Sequence, residues 1–350
     1  MVSDVRNQIE KILKNAIEKA IGQKALPHVD VRDVPFSPTK TPDHGDLASP
    51  IALSLAKATK MSPRKIAQAI VKYIHLDGDS LIREVEVAGP GFINVFLSKR
   101  WLYDVLRTVK NEGMNFGRSN YGKSAPVQVE FVSANPTGPI NIVSGRAAAV
   151  GDALVNLLNA VGYDAIREYY VNDAGSQMEA FYGSVLARYR QALGLVSELP
   201  ANGYIGEYVS DLAQEIIEAA GSRFTEMDES SALKEIGDLG REKMVAVIRE
   251  DLEGVGVTFD NWFSERTLFD NGDYERSMQH LRDQGYLEEK ENATWFTSSV
   301  LGDDKDNVVI RSSGEPTYFA SDIAYHYNKF VQRQFDGVVD SWGADHQGHV

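Results

Sequence analysis

The sequence predicts an α/β fold: a doubly wound parallel sheet with a helical insertion, preceded by a small α+β domain. Three observations carry that prediction. Residues 128–172 run as a strand, a Gly/Pro-rich turn, an amphipathic helix and a second strand, which is one βαβ unit. A further apolar run, FDGVVDSW, restarts the strand pattern at 335–342 after a long helix-rich stretch. The residues before about 118 hold helical stripes and strands of their own, enough for a separate small core.

Taken in order, Val5, Ile9, Ile12, Leu13, Ala16 and Ala20 form one stripe of a first helix that stops at Gly22. A polar, Pro-containing loop reaches Asp46. Ser62 and Pro63 open another helix, with Pro at the first helical position and Ile66, Ile70, Val71 and Ile74 on its apolar face. IREVEVAGP and GFINVFLS then read as two strands joined by a Gly-Pro-Gly turn. NFGRSNYGKSAP, at 115–126, reads as the linker.

In the βαβ unit, Val127, Val129 and Phe131 alternate with Gln128 and Glu130. ANPTGP breaks the strand, and Val150, Leu154, Leu157, Leu158 and Val161 recur at helical spacing until Gly162. Those five residues are the expected buried face of the helix. The turn should lie outside the carboxyl end of the strand, where free N–H groups and the helix dipole face a bound anion. An insertion near 186–300 carries YVSDLAQEIIEAA and LKEIGDLGREKMVAVIREDLEGVG as helices, then short strands at TWFTSS and NVVIRSS. The parallel sheet is expected to resume only at FDGVVDSW.

Composition narrows the function. With 350 residues, 43% hydrophobic and 25% charged, the chain has room for two or three globular domains. No apolar run reaches membrane-spanning length, and the N-terminus is a charged amphipathic helix without the apolar centre of a signal peptide. The absence of cysteine excludes disulfide and thiol chemistry, and a cytoplasmic address is the expectation. A net charge of −14 argues against gripping nucleic acid by bulk attraction, so an RNA partner would have to be met locally. No G-x-G-x-x-G or G-x-x-x-x-G-K-[ST] spacing occurs; GPGFIN at 89–94 lacks the third glycine, which disfavours a nicotinamide dehydrogenase or a Walker-type nucleotidase. DHQGH places Asp345, His346 and His349 together, an incomplete set for a structural metal, and none is expected.

The segments VEFVSANPTGP, the Gly145–Arg146 pair and EYYVNDAG closely resemble arginyl-tRNA synthetase, a class I aminoacyl-tRNA ligase. AGPGFINVFLS (88–98), GEYV (206–209), 302–330 and 338–350 resemble further blocks of that family, in the family's order. The resemblance implies a class I, Rossmann-like catalytic domain over 119–350 with its sheet incomplete at the C-terminus. It implies an N-terminal domain over 1–118 that contacts tRNA, with the Lys-Met-Ser-Lys loop and the helical anticodon-binding domain lying beyond Val350. Arginine, ATP with Mg²⁺ as substrate and the tRNA for arginine are the implied ligands, and the expected state is a monomer. Lys57, Lys60, Arg64, Lys65 and Arg83 are candidates for phosphate contacts, although scattered surface cations are more often simply solvated.

By the same resemblance, Asn141 and Ser144 occupy the positions of the family's two signature histidines. The turn reads Asn141-Ile142-Val143-Ser144 where the family has His-X-Gly-His. Pro136, Gly138, Val143, Gly145, Gly343 and Asp345 would meet ATP. Glu130, Asn135, Tyr318, Asp322 and His346 would meet arginine, with Asp322 as the guanidinium partner. A planar guanidinium with five N–H donors needs fixed carboxylate or carbonyl acceptors, and Tyr318 and Asp322, four apart, share a face if that segment is helical. Without the resemblance, an Asp and a Tyr there read equally well as solvated helix surface.

The altered turn predicts a slowed chemical step. Joining a carboxylate to the α-phosphorus of ATP builds negative charge that positioned donors must meet, and each lost donor costs about a hundredfold to a thousandfold. Asn141 and Ser144 can donate hydrogen bonds but carry no imidazolium charge. Val143 puts an isopropyl group where a glycine would let adenine lie against the backbone. Two functions from different classes are therefore expected: an arginine-tRNA ligase, or a noncatalytic arginine- or tRNA-binding module derived from one.

Overall fold

The computed structural model describes residues 2–76 and 80–343. The chain divides into two compact units, Met1–Gly117 and Arg118–Val350.

The first unit contains α1 (Val2–Gly22), β1 (Ser37–Pro38), β2 (Leu47–Ser49), α2 (Ile51–Thr59), α3 (Pro63–Lys72), β3 (Ile82–Ala88), β4 (Phe92–Leu97) and α4 (Arg100–Glu112). Its strands form an antiparallel sheet in the order β1-β2-β4-β3. The apolar stripes expected on α1 and α3 are where the core forms: Ile9, Leu13, Ala16 and Ala20 pack with Ile66 and Ile70 against Ile93 and Val95. Gly91 turns the β3–β4 hairpin at φ +143°, and a side chain there would lie 2.7 Å from the Pro63 backbone, so only glycine admits α3 this close.

The second unit opens with β5 (Pro126–Glu130), α5 (Ile142–Ala160) and β6 (Asp164–Val171), the βαβ unit read from the sequence. Three helices follow: α6 (Ser176–Ala192), α7 (Glu207–Ala220) and α8 (Glu229–Gly254). Then come β7 (Asn261–Ser264), α9 (Arg266–Asp270), α10 (Asp273–Asp283), β8 (Leu287–Lys290), β9 (Ala293–Phe296), β10 (Asn307–Ile310), α11 (Tyr318–Tyr327) and β11 (Gly337–Asp340). β8, β9 and β10 make a separate antiparallel sheet.

The main sheet is parallel throughout, in the order β11-β5-β6-β7. It therefore resumes earlier than expected. β7 pairs with β6 inside the 186–300 stretch, because the four-residue segment NWFS is too short to show an alternation, and the helical excursion ends with α8. Asp173, just past β6, fastens that excursion to the sheet: its buried carboxylate accepts from Arg241 of α8 at 2.6 Å and from Ser264 at the end of β7 at 2.7 Å. From β5 the chain moves outward through β6 and β7, then returns to place β11 on the other side of β5. The crevice between the carboxyl ends of β5 and β11 is thus a topological switch point, where such sheets bind ligands.

The buried face of α5 is only partly the one expected: Leu154 and Leu158 pack against the core, but two of the five residues do not. Val150 is 61% exposed and Leu157 64%, while Ala148, Gly151 and Val155 face the sheet. Close packing decides this over apolarity. A Cβ on Gly151 would fall 2.1 Å from the Phe131 ring, so the helix can sit on β5 only with its small residues inward. Gly151→Ala is expected to destabilise the protein by about 2 kcal/mol, overpacking outweighing the gain in helix propensity. A urea midpoint equal to that of the parent would show the contact to be softer than this geometry implies.

Candidate functional site

The site is built at the ends of β5 and β11. All of Val127 to Glu130 is buried, including the polar alternates Gln128 and Glu130, because β5 is an inner strand with α5 on one face and α11 on the other. Past Glu130 the backbone turns sharply: Val132 and Ser133 both adopt positive φ, at 69° and 41°. For a β-branched residue that conformation costs about 1–3 kcal/mol, and such strain gathers where a site must be shaped. It brings the Ser133 hydroxyl 3.1 Å from Glu130 Oε1, where it donates, and 3.1 Å from the Tyr170 N–H, from which it accepts.

A cavity of about 570 Å³ opens there. Glu130, Asn135, Tyr318, Asp322 and Gly343 all line it. α11 supplies Tyr318 and Asp322 from one face, as their spacing requires, and Thr317 caps the helix by accepting from Ala320 N. Asn135 donates to Gln177 of α6, which also lines the cavity.

A second, shallower cavity of about 350 Å³ lies along the Gly/Pro-rich turn, lined by Gly138, Asn141, Ser144, Tyr204 and Tyr208. Asn135 lines both. Tyr208 closes one side, donating to the Thr137 carbonyl at 2.7 Å, and a Cβ on Gly138 would sit 3.1 Å from its hydroxyl. Pro136, Val143 and Gly145 line neither cavity; Pro136 is buried, and Val143 is 60% exposed. Asp345 and His346 lie outside the described residues.

The first turn of α5 differs from the expected open anion cradle. Asn141 Oδ1 accepts from the backbone N–H of Val143 at 2.9 Å and of Ser144 at 3.2 Å. Asparagine is among the preferred N-caps, and here it consumes two of the helix's four free donors. The N–H groups expected to face a ligand instead face the chain's own side chain.

Five residues that the sequence reading did not single out shape the larger cavity or its charge: Lys329, His326, Asp340, Ser133 and Glu265. The fully buried Lys329 ammonium lies 2.9 Å from Glu130 Oε2 and 2.7 Å from Asp340 Oδ1. Both ring nitrogens of His326 face acceptors, Nδ1 the Asp322 carbonyl oxygen at 2.8 Å and Nε2 Asp340 Oδ2 at 3.2 Å, a geometry that favours the protonated ring. The Asp340 hydrogen bond is also what raises its pKa, against the effect of burial. Burial works against the Asp340 carboxylate, yet His326 and Lys329 together hold it below its ordinary value. Glu130 is pushed up, first by burial and then by Asp340, with Lys329 opposing. Glu265, 4% exposed at the start of α9, is pushed up to about 7 by burial; Ser321 and Tyr170 hydrogen-bond it, and the charges of Asp173 and Asp322 add to the rise. One signal in the sequence pointed this way: Tyr318, Asp322, Tyr325, His326 and Lys329 recur at helical spacing as a polar stripe.

The arrangement suits a planar cation with hydrogen-bonding ends. Carboxylates and a phenol lie on the wall of a partly enclosed space, with the Lys329 ammonium buried behind two of the carboxylates. Among the described residues no cluster of three or more metal-ligating side chains occurs, and no helix is long and apolar enough to cross a membrane.

Comparison with known proteins gives a consistent picture. The family model described as the arginyl tRNA synthetase N terminal domain matches residues 7–97, and that of the class I (R) tRNA synthetase catalytic domain matches 108–349. The arginine–tRNA ligase of Dehalococcoides mccartyi strain CBDB1 is 46% identical over 346 residues, covering 99% of this chain and 62% of that protein. The one from Caldanaerobacter subterraneus subsp. tengcongensis is 43% identical over 350 residues, covering 100% and 62%. A crystal structure from Plasmodium falciparum, an arginyl-tRNA synthetase, shares the fold with TM-score 0.61 at 18% identity, over 99% of this chain and 60% of that one. This chain thus spans about 62% of the length of the curated relatives it matches.

Proposed function

The chain belongs to the arginyl-tRNA synthetase family, and on that premise we propose that its second unit binds arginine in the cavity at the ends of β5 and β11, as the amino-acid site of an arginine-tRNA ligase. The observation that carries the reading is the convergence of Glu130, Asn135, Tyr318 and Asp322 on one space, from segments almost 200 residues apart in sequence. Asp322 meets the guanidinium, with Glu265 behind it as a second carboxylate; Tyr318 flanks the alkyl chain, and Asn135 holds the polar end where the two cavities adjoin.

In the whole ligase, that polar end is where the arginine carboxylate attacks the α-phosphorus of ATP, bound with Mg²⁺, and expels pyrophosphate; the arginyl group then passes to its tRNA. Gly138, Asn141 and Ser144 border the smaller cavity, which is the place for ATP in this reading. Lys57, Lys60, Arg64, Lys65 and Arg83 are exposed on the first unit and would serve tRNA phosphates, although Arg64 already donates to the Gly89 carbonyl. A cytoplasmic monomer is the matching setting.

A second reading, a noncatalytic arginine-binding module, is favoured by one observation: the self-capped turn at Asn141, which withholds donors that phosphate would need. Calorimetry with arginine and with ATP separately discriminates the two. Arginine binding without ATP binding supports the module, whereas binding of both supports the ligase; no arginine binding would remove the basis of either.

The raised Glu265 pKa yields a further expectation. Its folded value of about 7 exceeds the ordinary 4.5, so the folded state keeps a proton that the unfolded chain releases, and this group's effect on stability turns unfavourable as pH rises between those values. A bound cation reverses the shift and expels the proton. Arginine binding near pH 7 should therefore show an enthalpy that varies with the buffer's ionisation heat, and Glu265→Gln should abolish the variation. Buffer-independent heats in the parent protein would contradict this.

A further inference from the structure

Lysine is seldom buried without paired charge, because its ammonium is strongly hydrated. Lys329 is nonetheless wholly buried, on the π-helical turn Asn328–Gln332 that directly follows α11. Such turns are rare and recur at functional positions. One ammonium here spans the carboxyl ends of β5, through Glu130, and β11, through Asp340. It also sits 4.0 Å from the centre of the Tyr325 ring. The groups around this cluster are Glu130 and Ser133 from β5 and its turn, Asp340 from β11, Tyr170 from β6, and Asp322, Tyr325 and His326 from α11.

The neighbouring turns of the same helical segment are fastened in the same way. Tyr325 donates to Glu168 Oε1 of β6 at 2.6 Å, and Arg333 Nη2 donates to the same oxygen at 2.7 Å. Tyr325, Lys329 and Arg333, four apart, thus stitch the segment to three strands, while Tyr318, Asp322, His326 and Tyr325 itself line the cavity. Scaffold stability alone does not call for three buried charges at Lys329, Glu130 and Asp340, since apolar replacements of such clusters are often as stable.

We propose that Lys329 is a positioning residue for the cationic ligand: it fixes the helix bearing Tyr318 and Asp322 against the ends of β5 and β11, and it supplies the counter-charge to Glu130 at the cavity wall. The inference rests on the reading of the cavity as an arginine site. Losing the ammonium removes the main influence that opposes the rise of the Glu130 pKa by burial.

The test uses the full chain, arginine as the probe and calorimetry between pH 7.5 and 9, with the parent protein as the reference for the remaining titration of Glu265. Lys329→Met/Asp340→Asn removes one charge of each sign and leaves Glu130 without its cation. Arginine affinity is expected to fall about thirtyfold at the lower pH, the scale for losing one partner of a buried charge pair, and to recover as pH rises and Glu130 regains its charge. The parent protein should show no such recovery. A structural role alone would lower the melting temperature without creating the pH slope. If the double variant is folded and binds arginine within twofold of the parent, with a flat pH profile, the proposal is overturned. Should the variant not fold, Lys329→Arg replaces it: a shift of the helix by the longer side chain is expected to weaken arginine severalfold, and unchanged affinity overturns the proposal. Asp322→Asn is the control that separates the two failures. If it abolishes binding while the Lys329 variants do not, only the positioning role falls; if it too has no effect, the arginine reading itself is lost.

Discussion

Asp322→Asn is expected to weaken arginine binding by about a hundredfold or more, with the fold intact. The substitution keeps shape and volume but turns a charged acceptor into an amide with a single acceptor oxygen, so a guanidinium loses one bidentate, charge-assisted partner in a partly enclosed space. Truncating one member of such a pair costs about 2–5 kcal/mol, and most of the loss comes from the charge left behind without a counterpart. The cluster behind it cannot compensate. Glu130 and Asp340 already share Lys329, and Asp340 is further engaged by His326. Titration calorimetry measures the effect directly; affinity within threefold of the parent would mean that the guanidinium is held elsewhere.

The second large effect concerns the turn at the start of α5. Asn141→His, Val143→Gly and Ser144→His together, in a chain carrying the full length of the relatives, are expected to raise the rate of arginine-dependent ATP–pyrophosphate exchange by about a thousandfold or more. Each donor aimed at a developing oxyanion contributes about a hundredfold to a thousandfold, and paired donors do not combine additively. Removing Asn141 also frees the N–H groups of Val143 and Ser144 that its side chain now occupies. The exchange has a cost: the lost N-cap should lower stability by about 1 kcal/mol, visible as a small fall in melting temperature. A restored turn that caps worse and still gives no exchange would place this chain with the binding modules.

Much of the architecture was legible because it is local. The alternation at 127–131, the proline-rich break and the glycine after α5 mark the βαβ unit without knowledge of anything distant. The i, i+4 spacing put Tyr318 and Asp322 on one face once that segment was helical, and both line the same cavity. The failures have separate causes. Val150 and Leu157 are apolar at helical spacing, yet Gly151 faces the sheet because Phe131 lies there, and nothing near Gly151 in sequence announces Phe131. β7 escaped notice because four residues give no period. Asn141 stands at a signature-histidine position by resemblance, yet asparagine at the head of a helix is first of all a cap.

By itself the sequence determined the periods of the elements, the family and the chemical kinds of side chain available to a cationic ligand. Only the tertiary structure decided which of those side chains meet a counter-charge. Lys329 pairs with Glu130 from 199 residues away, and an aspartate on β11 raises the pKa of His326 on α11. The physical reason is that helical and strand periods are set by neighbours a few bonds apart, whereas protonation and packing are set by whatever the fold brings within about 4 Å, and a period carries no information about that.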